Sequence, residues 1–256
     1  RKPAMVARLT AAGVAGAVTL VALAAGAAAA PAGNWTKILM TSPSVSTAKC
    51  LDGSPGGGYL RAGTGAGANK WIVFFQGGGW CSSPQNCADR SKGNLGSSKN
   101  WPPTYDDYYE GSRLFATPPF DTYNVFYAMY CDGGSWSGAA SQTAPDGTLL
   151  HYQGRALLDS LIDMLLARGL SSATDVLVAG CSAGGLTTYL HADYVAAKMP
   201  KGAHVLALAD AMFSLEHDDL NGTPRFPSRM QWGYDAWASA DNINAGCVAQ
   251  YGKADG

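Results

Sequence analysis

A serine set among small residues, Gly180-Cys181-Ser182-Ala183-Gly184, is the stretch of this sequence best equipped for chemistry. It fits the G-x-S-x-G pattern, in which a serine sits at a sharp strand-to-helix turn with its hydroxyl exposed as a nucleophile. The flanks supply that context. Val176-Leu177-Val178-Ala179 reads as a buried strand, and residues 186–198 have helical character. A helix starting at the turn offers unpaired N–H groups and a positive dipole end to an oxyanion. Glycine-rich turns of this kind also occur in nucleotide binders and in structural loops, and the five letters alone do not separate the three.

A second candidate is Gln76-Gly77-Gly78-Gly79-Trp80-Cys81, which follows the continuous apolar run Trp71-Ile72-Val73-Phe74-Phe75. Three glycines after a buried strand mark backbone that approaches something closely or takes positive φ. For a nucleophilic serine that something is the substrate oxyanion, and N–H groups of this loop would complement the N–H of Ala183. The plain alternative is a flexible surface loop, which has no need of Trp80 and Cys81 at its end. Cys81 and Cys87 are close enough in sequence for a local disulfide bracing the loop.

A serine needs a histidine to take its proton and a carboxylate to fix that histidine, in the order Ser, acid, His for this pattern. His191, His204 and His217 are the histidines after Ser182. His191 lies along the elbow helix, its Cα about 13 Å from that of the serine, which is too far. His204 enters its strand from the edge opposite the catalytic one. His217, with Asp210 before it and Asp218 and Asp219 after it, is the one geometric candidate, in what reads as an exposed loop. One strand alone follows the elbow helix, and Cys247 has no evident partner. The chain is therefore expected to be incomplete at its C-terminus, with the acid and histidine beyond Gly256, and poorly active by itself.

The elements that must position these groups alternate. Strands are expected at residues 59–61, 71–75, 123–130, 175–179 and 203–209. Residues 35–48 read as irregular, 63–69 as a hairpin-like loop, and 82–120 as loop-rich with short helical pieces. Residues 153–168 form the clearest helix: Leu157, Leu158, Leu161, Ile162, Leu165 and Leu166 recur on one face, Arg155, Asp159, Ser160 and Asp163 on the other, and Gly169 ends it. Alternation of this kind argues an α/β fold with a mostly parallel sheet covered by helices. The loop at 132–140, with Trp136, falls at a strand's C-terminal end, where ligand-contacting loops of open sheets collect.

The 256 residues suit one such domain, and a net charge of −1 gives no argument for nucleic acid or an anionic surface. Residues 1–30 are a separate material, with Arg1, Lys2 and Arg8 ahead of an uncharged alanine- and glycine-rich run. They read as a cleaved signal peptide, with an N-terminal anchor as the alternative. Secretion makes Cys50, Cys81, Cys87, Cys131 and Cys247 disulfide candidates. It also makes Asn34 and Asn221 glycosylation sequons, the second weakened by Pro224. No cysteine–histidine cluster has zinc spacing, so neither metal nor cofactor is expected.

With those residues in view, the sequence resembles the pectin acetylesterase/Notum family of secreted serine carboxylesterases. The match runs from about Cys50 to Cys247 through Cys50-Leu51-Asp52-Gly53-Ser54-Pro55, Gly77-Gly78-Gly79-Trp80-Cys81, Tyr130-Cys131-Asp132-Gly133 with Trp136-Ser137-Gly138, and Gly180-Cys181-Ser182-Ala183-Gly184-Gly185. The resemblance implies an α/β-hydrolase fold, with residues 31–256 the N-terminal part of one catalytic domain. It implies Ser182 as nucleophile, Gly78, Gly79 and Ala183 as oxyanion hole, disulfides Cys50–Cys131 and Cys81–Cys87, and a buried free thiol at Cys181. Cys247 would pair with a cysteine absent from this sequence. Gln76 stands where the family commonly has glutamate, which puts one supporting contact in doubt. The expected activity is removal of O-acetyl groups from a cell-wall polysaccharide by a secreted monomer, extracellular or in the cell wall, with no nucleic acid and no lasting membrane partner. The alternatives are a Notum-like deacylation of an acylated protein, or a silent carbohydrate binder stacking sugars on Trp80 and Trp136.

Overall fold

The structure, a computed structural model, describes residues 35–41, 48–105 and 110–251. The segment read as a signal peptide and the Asn34 sequon lie outside the described residues. Among the described residues, no helix is long and apolar enough to cross a membrane.

The strands are β1 (Thr36–Leu39), β2 (Gly57–Arg61), β3 (Lys70–Phe75), β4 (Asn124–Ala128), β5 (Ala140–Thr143), β6 (Leu149–Tyr152), β7 (Asp175–Cys181) and β8 (His204–Asp210). The helices are α1 (Pro84–Arg90), α2 (Ser112–Ala116), α3 (Gly154–Leu166), α4 (Ala183–Lys198), α5 (Arg225–Ala236) and α6 (Ala245–Tyr251). Six strands make one sheet in the order β1-β2-β4-β3-β7-β8. β4, β3, β7 and β8 run parallel, while β2 pairs antiparallel with both β4 and β1. The fold is thus the expected α/β-hydrolase-like one, a mostly parallel sheet flanked by helices.

Its centre follows from sequence pattern. A parallel strand covered on both faces has no polar side, so it reads as an unbroken apolar run. Trp71 to Phe75 of β3 and all of β4 are buried. Phe74 stacks on Tyr127 at 5.5 Å between ring centres and meets Phe115 edge-on at 5.3 Å. Helix α3 lays Leu157, Leu158, Leu161, Ile162 and Leu165 into this core and stops before Gly169, whose φ of +112° is left-handed. At the opposite end of β3 from the glycine loop, Lys70 donates to Asp175 of β7 at 2.7 Å.

Three expectations change, and one hairpin is added. Residues 36–39 form an edge strand rather than irregular chain; Ile38 alone of its four residues is buried, so no periodic signal reaches the sequence. The 63–69 segment joins no hairpin, because β4 lies between β2 and β3 in the sheet. Residues 140–152 fold into a separate β5–β6 hairpin across a turn at Gly147, whose φ is +85°. Ser160, placed on the solvent face of α3, is 7 % exposed.

Candidate active site

β7 delivers the chain to the elbow. Ser182 takes φ 55°, ψ −119°, a conformation that costs a non-glycine residue about 1–3 kcal/mol. The turn is held from two sides. The Ser182 N–H donates to the Asp210 carbonyl at the end of β8 at 3.0 Å. The first turn of α4 is pressed against the end of β3: a Cβ on Gly184 would sit 2.0 Å from the Phe75 carbonyl oxygen. Only glycine permits that approach, which explains the small residues around the serine. Ser182 itself is partly exposed, and the N–H of Ala183 opens α4.

The glycine loop lies against the same turn. Gly77 abuts Cys181, whose carbonyl would be 2.5 Å from a Gly77 Cβ, and Gly78 and Gly79 have φ of +126° and +65°. Close approach and positive φ are what the three glycines predicted. Beyond them, Trp80 Nε1 donates to Ser135 Oγ at 2.7 Å, and that hydroxyl donates to the Ala183 carbonyl at 2.9 Å. Both ends of the loop therefore rest on the elbow. The N–H groups of Gly78, Gly79 and Ala183 donate to no group among the described residues.

The family model for Pectinacetylesterase matches residues 29–254. The chain belongs to that family. Pectin acetylesterase 5 of Arabidopsis thaliana is 33% identical over 210 residues, which cover 78% of this chain and 47% of the relative. Pectin acetylesterase 4 of the same plant is 32% identical over 210 residues, 78% of this chain and 49% of the relative. The palmitoleoyl-protein carboxylesterase NOTUM of Homo sapiens is 32% identical over 185 residues, 68% of this chain and 36% of the relative. The chain spans about half the length, or less, of these curated relatives.

The disulfides implied by the family resemblance are formed: Cys50–Cys131 ties the loop before β2 to the end of β4, and Cys81–Cys87 ties the glycine loop to α1. Cys181 is free but half-buried rather than buried, and Cys247 is free and exposed. Burial, with Glu110 and Asp210 beside it, pushes the Cys181 thiol up to about 11, so it stays protonated and is no rival nucleophile at neutral pH. Asn221 is exposed.

Trp136 requires a correction. It is 1 % exposed and packs edge-on against Phe75 at 5.3 Å, so it is a core residue and offers no face to a sugar. Its loop turns inward at Ser135 and Trp136, both at positive φ, because buried Asp132 accepts the N–H groups of Gly134 and Trp136. Trp80 is partly exposed and meets Phe226 edge-on at 6.2 Å.

The histidines have other surroundings. His191 is 1 % exposed within α4, and His204 lies 3.8 Å from Asp175 at the far end of β7. His217 is exposed and its Nδ1 lies 2.6 Å from the Asp218 carbonyl. Among the described residues no histidine hydrogen-bonds Ser182.

Three contributors carried little or no sequence signal. Ser135 links Trp80 to Ala183; its position inside a Gly-Gly-Ser-Trp-Ser-Gly run was the one hint. Glu110 accepts the Gly77 N–H at 2.6 Å, and Arg90 donates to the Gly78 carbonyl at 2.9 Å. Gln76 accepts the Tyr130 N–H at 2.9 Å, tying β3 to β4, so the carboxylate at this loop comes from Glu110 instead.

Proposed function

We propose that the chain carries the nucleophile and oxyanion hole of a secreted serine carboxylesterase. Ser182 attacks an ester carbonyl. The N–H groups of Gly78, Gly79 and Ala183 receive the negative charge of the tetrahedral intermediate. Its collapse breaks the ester C–O bond, expels the alcohol and leaves an acyl-serine, from which water then releases the acid. The substrate we favour is O-acetyl on a cell-wall polysaccharide, through kinship with the pectin acetylesterases. The strained Ser182 turn, with unpaired amides on both flanks, carries the reading.

One observation favours a second substrate class. A groove of about 510 Å³ beside Phe226, the neighbour of Trp80, is lined by Pro227, Met230, Tyr234, Ile243 and Val248. An apolar groove of that size suits a fatty acyl chain, as in a protein deacylase. Comparing aryl acetate with aryl octanoate separates the two: a preference for octanoate supports the second reading.

The nucleophile is tested by a fluorophosphonate probe on the whole protein. Labelling at Ser182 is expected, and Ser182→Ala should abolish it. Undiminished labelling of the variant sinks the assignment.

A further inference from the structure

The glycine loop must do more than leave its amides unpaired; it must hold them in one direction. A peptide with three glycines has little intrinsic preference for a single conformation. In the structure two charged side chains grip it. The half-buried Glu110 carboxylate accepts the Gly77 N–H, and the Arg90 guanidinium donates to the Gly78 carbonyl. Arg90 is itself fixed. Its Nε donates to the Leu95 carbonyl at 3.0 Å, and its guanidinium lies 5.0 Å from the centre of the Tyr130 ring. It stands on the last turn of α1, the helix that the Cys81–Cys87 disulfide ties back to the end of the same loop.

The geometry of one peptide bond gives this grip a consequence. In a planar trans peptide the carbonyl and the following N–H point in opposite directions. Holding the Gly78 oxygen on α1 therefore turns the Gly79 N–H away from α1. That amide is one of the oxyanion donors assigned above.

Resting on that esterase reading, we propose that Arg90 is a positioning residue that locks the Gly78–Gly79 peptide so that the Gly79 N–H faces the developing oxyanion, with Glu110 anchoring the preceding peptide. The titratable groups facing Glu110 are Asp210 and the Cys181 thiol. Its carboxyl is raised above the ordinary glutamate range, by burial first and by Asp210. Acid therefore weakens the Glu110 anchor.

The test uses p-nitrophenyl acetate and the whole protein, with Ser182→Ala as the control for the esterase reading. Loss of one oxyanion donor costs about 100-fold or more in kcat, so Arg90→Met is expected to lower kcat about 100-fold with KM within twofold. Arg90→Lys, which can still donate to the Gly78 oxygen, should recover about tenfold of that. A crystal structure of Arg90→Met should show the Gly78–Gly79 peptide rotated. An unrotated peptide overturns the proposal whatever the activity. So does Arg90→Met turnover at the wild-type kcat, or a loss in which KM rises as much as kcat falls. Wild-type turnover that survives Ser182→Ala instead defeats the esterase reading, and the crystal structure then still decides the loop.

Discussion

β7 and β8 are parallel neighbours of nearly equal apolarity, yet they sit in opposite surroundings. Val176 and Val178 of β7 are 2 % and 0 % exposed, whereas Leu206 and Leu208 of β8 are 56 % and 44 % exposed. β7 lies between β3 and β8; among the described residues β8 pairs on one side alone and forms the sheet edge. The segment after β8 continues the exposure, with Phe213 at 87 % and Leu215 at 58 %. Most of what shapes the Ser182 turn and the glycine loop comes from the sealed side; the Asp210 carbonyl, Met212 against Gly185 and Phe226 against Trp80 are the contacts from beyond it. His217 belongs to the open side. The nucleophile and oxyanion donors are therefore preorganised by packing, while the described β8 side offers no comparable frame for a base.

Removing the bond that closes the sealed side should have the largest effect. Cys50 and Cys131 are 81 residues apart, and a cross-link of that span stabilises by about 4–5 kcal/mol on chain-entropy grounds. The pair Cys81–Cys87, with a separation of 6, contributes about 2 kcal/mol on the same scale. The double variant Cys50→Ala/Cys131→Ala is expected to lower the midpoint of chemical unfolding far more than Cys81→Ala/Cys87→Ala. Equal losses in urea melts would mean that the loop span does not govern either bond.

Next comes the contact between elbow and β3. Gly184→Ala places a methyl 2.0 Å from the Phe75 carbonyl, backbone against backbone, so the elbow or β3 must shift. A cost of about 3 kcal/mol is expected from overpacking, with loss of probe labelling at Ser182. Normal labelling together with a normal melt would show that the turn tolerates movement. Within the comparison itself, Val178→Ala should cost about 2 kcal/mol and Leu208→Ala under about 1 kcal/mol, since an exposed side chain leaves little cavity behind. Similar losses at both positions would mean that β8 is covered in solution.

The two strands also show what could be read from sequence. Both announce themselves as apolar runs, and the elbow, the glycine loop and α3 follow from spacing and chain order. Exposure could not be read, because Val-Leu-Ala-Leu-Ala is the same whether a neighbour covers it or not. Trp136 was misplaced for the related reason that a glycine-rich loop looks exposed, whereas hydrogen bonds from its backbone to Asp132 fold it inward. Arg90 and Glu110 were illegible because each acts through one main-chain atom of a distant loop. No periodicity or motif encodes such a contact. β1 is too short, and too little buried, to leave a pattern.

Asp132 and His191 make the smallest net prediction, because burial drives them in opposite directions. Burial raises the Asp132 carboxyl to about 6 and lowers the His191 imidazole to about 4, with Arg155 reinforcing the second. For Asp132 the folded state binds the proton more tightly than the unfolded one, so its contribution is full below about 4 and is lost as pH rises through 6. For His191 the unfolded state binds the proton more tightly, so stability is full above about 6.5 and is lost as pH falls towards 4. Each shift of about two units corresponds to roughly 3 kcal/mol. Over the shared window from pH 4 to 6 the two slopes nearly cancel, and the contribution of this pair to stability should be almost flat. His191→Gln removes one slope and should make the protein more stable towards acid relative to wild type. Asp132→Asn, which keeps an oxygen for the Gly134 and Trp136 amides, removes the other and should make it less stable there. Urea melts at pH 4 and pH 6 read both signs, and a shift of the two variants in the same direction would refute the opposition.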